Sequence, residues 1–237
     1  MDYFSNKVIR PFYHFMPEHI IMLTLLPLAI LITYIFRKSL GTFEGEKYIR
    51  YTLAIIMLTL EILLYVWKIH NGIWTWYNGL PLALCGFTLY LMSYALFTKS
   101  YKVFGIASFW AMGALGSSID PSIKHGITNF RFTQYMISHE LIVYSVFYMA
   151  FVHNFVPNKK SIKDSIFYIT LLAIFFIILN QTFNQNFMFL NNSENTILEI
   201  FEFKNQLVYT ISLVISGYLA MIFAYFMINF IYKKTIN

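Results

Sequence analysis

Residues 20–36 read IIMLTLLPLAILITYIF, a run of 17 residues without a charged side chain that ends directly at Arg37 and Lys38. A helix of this length and composition can cross the hydrocarbon core of a bilayer. Six further apolar runs follow along the chain, near residues 51–67, 80–97, 103–119, 133–155, 166–179 and 207–232. The sequence therefore predicts an all-α membrane protein, a single bundle of about seven transmembrane helices.

The composition of the chain excludes a water-soluble monomer. Of its 237 residues, 58% are hydrophobic and 12% are charged, and the charged fraction is about half that of a soluble domain. The chain has neither a low-complexity tract nor a linker between apolar runs, so residues 1–237 are predicted to form one polytopic membrane domain. Within it, residues 1–18 mix aromatic and charged side chains, which is typical of a segment at the membrane interface.

The distribution of basic residues predicts the orientation of the bundle. Seven spans divide the 17 Lys and Arg residues into six on the side of the N-terminus and eleven on the side of the C-terminus. Because cytoplasmic loops carry the excess of basic residues, the N-terminus is predicted outside and the C-terminus in the cytoplasm. The net charge of +6 is therefore interpreted as membrane topology rather than nucleic-acid binding. We expect a multi-pass protein of the cell membrane, here the bacterial cytoplasmic membrane.

The fourth apolar run contains small residues at helical spacing, among them Gly105, Gly113 and Gly116. Small residues four positions apart let the backbones of neighbouring helices approach closely. We therefore predict close helix packing along this stripe rather than a substrate groove.

Four ionisable or nucleophilic groups inside the predicted spans lie well away from the cytoplasmic ends: Glu61, Cys85, His139 and Glu140. Such groups are costly in a membrane and are therefore functional candidates. At a rise of 1.5 Å per residue, Cys85 lies roughly 9 Å and His139 roughly 10 Å below the outer ends of their spans. Glu61 lies at a similar depth, so a carboxylate, a thiol and an imidazole are predicted at one level in the outer half of the bilayer.

This combination of groups is typical of nucleophilic catalysis. A histidine that removes the proton of a thiol creates the reactive thiolate, and a carboxylate can orient that histidine. Cys85 and His139 are therefore the candidate catalytic pair, with Glu61 or Glu140 in support. Arg131, Tyr135, His139 and Ile142 share one helix face, so Arg131 is predicted to bind a lipid phosphate above the imidazole, with Tyr135 between them.

Structural interpretations of the same residues stay open. Cys85 is also compatible with a small packing residue, and His139 with a structural hydrogen bond to Glu61. With one cysteine, the chain has no intrachain disulfide and no CxxC site. The other histidines show no metal-ligand spacing, so neither a metal nor a cofactor is predicted.

Several motifs, in this order, carry a family resemblance: LPLALC at residues 80–85, RFTQYMISH at 131–139, YMAFV at 148–152 and NFMFL at 186–190. Together they resemble the YwaF-type bacterial membrane proteins, whose eukaryotic relative is transmembrane protein 164. Many bacterial members have a histidine at the position that Ala83 occupies in this chain.

The resemblance implies a lipid acyltransferase that moves an acyl chain between phospholipids without acyl-CoA, with a cysteine and a histidine that correspond to Cys85 and His139. The expected partners are membrane phospholipids or lysophospholipids, and hydrolysis replaces transfer when water is the acceptor. A proton-coupled permease that uses Glu61, His139 and Glu140 is the alternative. A non-catalytic lipid-binding protein is the third interpretation.

Overall fold

The computed structural model describes residues 3–79, 83–193, 196–201 and 205–236. Seven long helices follow one another: α1 (Pro17–Thr42), α2 (Glu46–His70), α3 (Leu84–Thr98), α4 (Tyr101–Ile119), α5 (Phe130–His153), α6 (Lys159–Phe183) and α7 (Gln206–Ile236). Shorter helical segments occupy Trp76–Gly79, Phe187–Phe189 and Ile197–Phe201. Apart from these helices, the described ranges contain one isolated β-bridge, between Pro11 and His125. The all-α prediction is therefore confirmed, and a helix lies at each predicted span.

Five of these helices are long and apolar enough to cross a membrane: α1, α2, α5, α6 and α7. Their outer faces expose large apolar side chains, such as Ile35 on α1, Phe167 on α6 and Phe226 on α7. Contiguous apolar surface of this kind requires a lipid or protein environment. The structure therefore has the helices of a multi-pass membrane protein.

Two of the predicted spans differ in length from the helices. The sixth, predicted as the shortest, is the 25-residue α6, because Asn158 begins it with a capping box and Asn184 ends it in the left-handed conformation. The shortest of the seven long helices instead lies at the third predicted span, since α3 has 15 residues and begins at Leu84. Residues 80–82 of the motif before Cys85 lie outside the described residues.

Helix α4 lies at the centre of the bundle, where it packs against α3, α5, α6 and α7. Ten of its 19 residues are buried. Because its neighbours cover it on several sides, α4 contributes much of the buried core of the bundle, including Phe104, Phe109 and Trp110.

The small residues of α4 have two different environments. A Cβ atom added at Gly105 would lie 2.5 Å from Oγ of Ser161 on α6, so close packing is confirmed there. A Cβ atom added at Gly116 would have no neighbouring atom within 4 Å. The prediction of close helix packing is therefore wrong at Gly116, because no neighbouring helix in the described part of the chain covers the face of α4 on which Gly116 lies.

The segment before α1 packs on the loop between α4 and α5. The amide of Phe12 donates to the carbonyl of Lys124 at 3.0 Å, and the amide of Gly126 donates to the carbonyl of Arg10 at 2.8 Å. At the start of α1, the fully buried His19 bonds through Nε2 to the carbonyl of Ser118 at 2.8 Å. The segment thus forms a cap over this end of the bundle.

A buried ionic cluster links α2, α3 and α5 at the opposite end. Glu46 accepts hydrogen bonds from Arg50 at 2.9 Å, Tyr148 at 3.0 Å and His153 at 2.7 Å. The Arg50 guanidinium also donates to the carbonyl of Leu96 on α3. His153 therefore belongs to a different cluster from His139, which lies on the same helix about 21 Å away at 1.5 Å per residue.

Candidate active site

A cavity of about 380 Å³ lies between α2, α3, α5 and the segment that follows α6. It contains five of the six predicted site residues, namely Glu61, Cys85, Arg131, Tyr135 and His139. Lys68, Gln134, Ser138, Gln185 and Asn186 add further polar groups to its wall. Three helices that are distant in the sequence thus bring a thiol, an imidazole and a carboxylate to one space, which we call the polar cavity.

Cys85 is the second residue of α3. Ala83 precedes the helix in an extended conformation, with no side-chain cap, and the first intrahelical bond runs from the amide of Phe87 to the carbonyl of Ala83. The amides of the first turn therefore have no partner within the helix, and those of Cys85 and Gly86 lie beside the sulfur. A thiolate or an oxyanion at this point is stabilised by the positive end of the helix.

The apolar pattern predicts Cys85 about six residues into its span, whereas the structure places it in the first turn of its helix. The difference matters because only the backbone amides of the first turn of a helix are free of intrahelical hydrogen bonds and can bond to another group. A cysteine in the middle of a helix has neighbouring amides that are already bonded to the preceding turn.

His139 is oriented by its own helix. Its Nδ1 lies 2.8 Å from the carbonyl oxygen of Tyr135, one turn earlier. Because a carbonyl can only accept a hydrogen bond, Nδ1 carries the proton, and Nε2 of the neutral imidazole has a lone pair. The Tyr135 ring also stacks on the imidazole, with the ring centroids 4.0 Å apart. The arrangement leaves Nε2 as the nitrogen that can accept a proton.

Glu61 has a different partner from the one expected. Its Oε1 accepts a hydrogen bond of 2.8 Å from the hydroxyl of Tyr65 on the same helix. Among the described contacts, none joins Glu61 to His139, and the group that orients the imidazole is the Tyr135 carbonyl. Glu61 therefore contributes negative charge to the cavity wall rather than a bond to the histidine.

Two cations share the polar cavity with Glu61. Lys68 and Arg131 both line this cavity together with Cys85. Arg131 is held in place by a hydrogen bond of 2.5 Å to Oε1 of Gln134 and by the Tyr135 ring, which lies 5.0 Å below the guanidinium. Two cations and one carboxylate give the cavity an excess of positive charge, which favours an anionic ligand group.

Glu140, the sixth predicted site residue, is not among the residues that line the cavity. It is buried, and its Oε1 has no hydrogen-bond partner among the described residues. It follows His139 directly in the sequence and therefore lies about 100° around the helix from it. Within the described parts of the chain, no three His, Cys, Asp or Glu side chains are grouped as a metal site.

The segment after α6 forms one wall of the cavity, and sequence reasoning missed how it is held. The buried Asn180 accepts from the amide of Phe187 at 2.8 Å and donates to its carbonyl at 3.1 Å. Asn186 accepts from the amide of Asn191 at 2.9 Å. The signal in the sequence is the density of asparagine between residues 180 and 192, since asparagine bonds to backbone in both directions.

A second cavity of about 360 Å³ lies beside the first, between α4, α6 and α7. Its wall is mostly apolar and includes Ile169, Leu213, Val214 and Met221. We call it the apolar cavity. Four residues line both cavities and form the boundary between them: Ala83, Cys85, Met188 and Phe189. Met188 and Phe189 both have a φ of 57°, a conformation that costs free energy in residues other than glycine.

The sequence profile of the TMEM164 family matches residues 14–228. This chain belongs to the TMEM164 family. The matched region contains all the residues that line the two cavities. Searches of the curated proteins and of the solved structures found no match to the chain.

Proposed function

We propose that this member of the TMEM164 family is a membrane-embedded lipid acyltransferase that works without acyl-CoA. Cys85 is the nucleophile and His139 is the general base. The observation that supports this assignment is the polar cavity. It combines a cysteine at an uncapped helix end with a histidine whose Nε2 can accept a proton.

In the first half-reaction, Nε2 of His139 accepts the proton of the Cys85 thiol, and the thiolate attacks the carbonyl carbon of a phospholipid ester. The tetrahedral intermediate then loses the ester oxygen of the glycerol backbone. That oxygen takes the proton from His139, so a lysophospholipid leaves and the acyl group stays on Cys85 as a thioester.

In the second half-reaction, the hydroxyl group of an acceptor lysophospholipid gives its proton to His139 and attacks the thioester carbonyl. The carbon–sulfur bond breaks, and the thiolate recovers the proton from His139. The products are a new phospholipid and the free thiol. If water is the acceptor, the same step releases a fatty acid, and the enzyme is then a lipid hydrolase.

The other groups of the cavity have supporting roles in this scheme. The amides of the first turn of α3, which have no partner within the helix ladder, stabilise the oxyanion of each tetrahedral intermediate. Arg131, with the fork geometry that suits phosphate, holds the headgroup together with Lys68. Tyr135 positions both Arg131 and His139.

The same proposal includes the location of the site in the membrane. With all seven helices across the membrane and the N-terminus outside, α3 runs from its outer end at Leu84 to its cytoplasmic end at Thr98. Its 15 residues extend about 22 Å, whereas the hydrocarbon core is about 30 Å thick. Cys85, one residue from the outer end of α3, then lies roughly 10 Å below the outer boundary of the hydrocarbon core, in the outer half of the membrane.

The test is the detection of the thioester. The purified chain is incubated with phosphatidylcholine that carries an alkyne-tagged acyl chain, and the label on the protein is measured before and after hydroxylamine. We expect label that hydroxylamine removes, none in Cys85→Ala, and labelling slowed by about 10² to 10⁴ in His139→Ala. His70→Ala, an exposed histidine at the end of α2, is the control and should label normally.

Addition of a lysophospholipid distinguishes the acceptors. Transfer of the label to the lysophospholipid supports an acyltransferase, and release of tagged fatty acid without it supports a hydrolase. Absence of label from folded protein, with phosphatidylcholine and other phospholipid classes, contradicts the proposal. A pH-driven flux that persists in Cys85→Ala would then favour the permease.

A further inference from the structure

The boundary between the two cavities is chemically asymmetric. On one side of Cys85 lie Arg131, Lys68 and His139, and on the other lies a mostly apolar wall. A ligand that occupies both cavities must therefore carry an anionic group at one end and a long apolar group at the other. The bond that joins these parts lies at Cys85.

The apolar cavity is elongated along the helices. On α7 it extends from Leu213 to Met221, about 12 Å at the rise of an α-helix. On α4 it runs along Gly113, Gly116 and Ser117. A volume of about 360 Å³ lies within the usual range for sites that bind small molecules. A cavity of this length and volume suits a single hydrocarbon chain.

We propose that the apolar cavity is an acyl-chain chamber, which takes the fatty acyl chain whose carbonyl carbon lies at Cys85. This inference rests on the proposed function, since it gives the location of the acyl chain that is transferred to Cys85. The acyl chain enters the chamber past Met188 and Phe189, and the phosphate of the lipid stays in the polar cavity beside Arg131. The acyl chain therefore remains in the protein when the lysophospholipid leaves.

Two glycines leave open space in the wall of the chamber. A Cβ atom at Gly116 or at Gly217 would meet no atom within 4 Å, and both residues line the cavity. A larger side chain at either position therefore projects into the space of the acyl chain without meeting the backbone of a neighbouring helix. Both residues lie inside helices, where leucine is favoured over glycine, so the leucine variants are expected to fold.

Photo-crosslinking tests the location of the acyl chain independently of catalysis. Vesicles of phosphatidylcholine with a diazirine midway along one acyl chain are irradiated with the Cys85→Ala variant, and the adducts are mapped by mass spectrometry. We expect adducts on residues 113–117 and 213–221 and their loss in Cys85→Ala combined with Gly116→Leu or Gly217→Leu. Ala220→Leu, which adds the same side chain on the exposed face of α7, is the matched control and should retain them.

The second readout is the chain-length profile of the thioester label in the protein with Cys85 intact. Gly116→Leu and Gly217→Leu should reduce labelling by the longest chains roughly tenfold and leave the shortest chains unaffected, whereas Ala220→Leu should not alter the profile. Adducts spread evenly over the exposed faces of α6 and α7, unchanged by Gly116→Leu, would overturn the chamber.

The two readouts separate the chamber from the proposed function. Adducts in the chamber without any thioester on Cys85 support the chamber and contradict the acyltransferase. A thioester with the same chain-length profile in the wild type and in both glycine variants supports the acyltransferase and contradicts the chamber.

Discussion

The carbonyl oxygen of Tyr135 lies 2.8 Å from Nδ1 of His139, and the ring of Tyr135 stacks on the imidazole with an angle of 26° between the planes. Both contacts arise within α5, between residues one helical turn apart. The imidazole is therefore oriented before any lipid binds, and no residue from another helix is needed to select its tautomer. Preorganisation of this kind lowers the cost of the proton transfer.

Replacement of Tyr135 by leucine should lower the rate of thioester formation by about twofold to tenfold, because the aromatic contact that holds the imidazole is lost. The carbonyl of residue 135 is retained, so the tautomer of His139 is unchanged. Tyr135→Phe keeps the ring and should behave as the wild type. Single-turnover labelling at saturating lipid measures the effect, and an equal loss in Tyr135→Phe would assign the role to the hydroxyl instead.

Arg131→Gln should weaken the binding of phospholipid by about tenfold to a hundredfold, because one charge-assisted contact to the phosphate is lost. The rate at saturating lipid should change less than the apparent affinity. Lys124→Gln removes an exposed charge from the loop before α5 and is the control. Lipid titration of thioester labelling measures both, and equal effects of the two variants would point to general attraction of anionic lipid rather than a phosphate site.

Asn180→Ala should loosen the segment that walls the cavity, since the amide and the carbonyl of Phe187 both lose their side-chain partner. The expected cost is about 1–3 kcal/mol in the free energy of local opening. Hydrogen exchange of residues 185–192, followed by mass spectrometry, measures the change. Thr182→Ala, an exposed residue two positions later in α6, should leave this exchange unaltered. Unchanged protection in Asn180→Ala would mean that other contacts hold the segment.

Because Gly105 and Gly116 have different surroundings on α4, alanine at these two positions should have opposite effects on the free energy of unfolding. Gly105→Ala forces a new Cβ against Ser161 and should lower the free energy of unfolding by about 1–3 kcal/mol. Gly116→Ala adds a methyl group to open space and should raise it by up to about 1 kcal/mol, because alanine favours the helix. Chemical denaturation in detergent micelles compares them. A similar loss in both variants would show that α4 is closely packed along its whole length.

Much of the candidate site follows from helical periodicity. The spacing of Arg131, Tyr135, His139 and Ile142 predicts one face of α5, and all four residues line the polar cavity. Such a prediction needs only the geometry of one helix. The partners of Glu46 and Asn180 could not be predicted in the same way, because each bonds to groups that tertiary structure alone brings near, such as His153, or to a loop whose path the sequence does not fix.

The sequence by itself determined that the apolar surface faces lipid, that the fold is all-α, and approximately where each helix lies in the chain. Apolar runs must form helices in a membrane, where every backbone amide has to be bonded within its own segment. The tertiary structure alone decided that α3 begins beside Cys85, that Glu61 bonds to Tyr65, and that the small residues of α4 pack at one end and line a cavity at the other. These features depend on the distances between helices, and those are set by the packing of many side chains together.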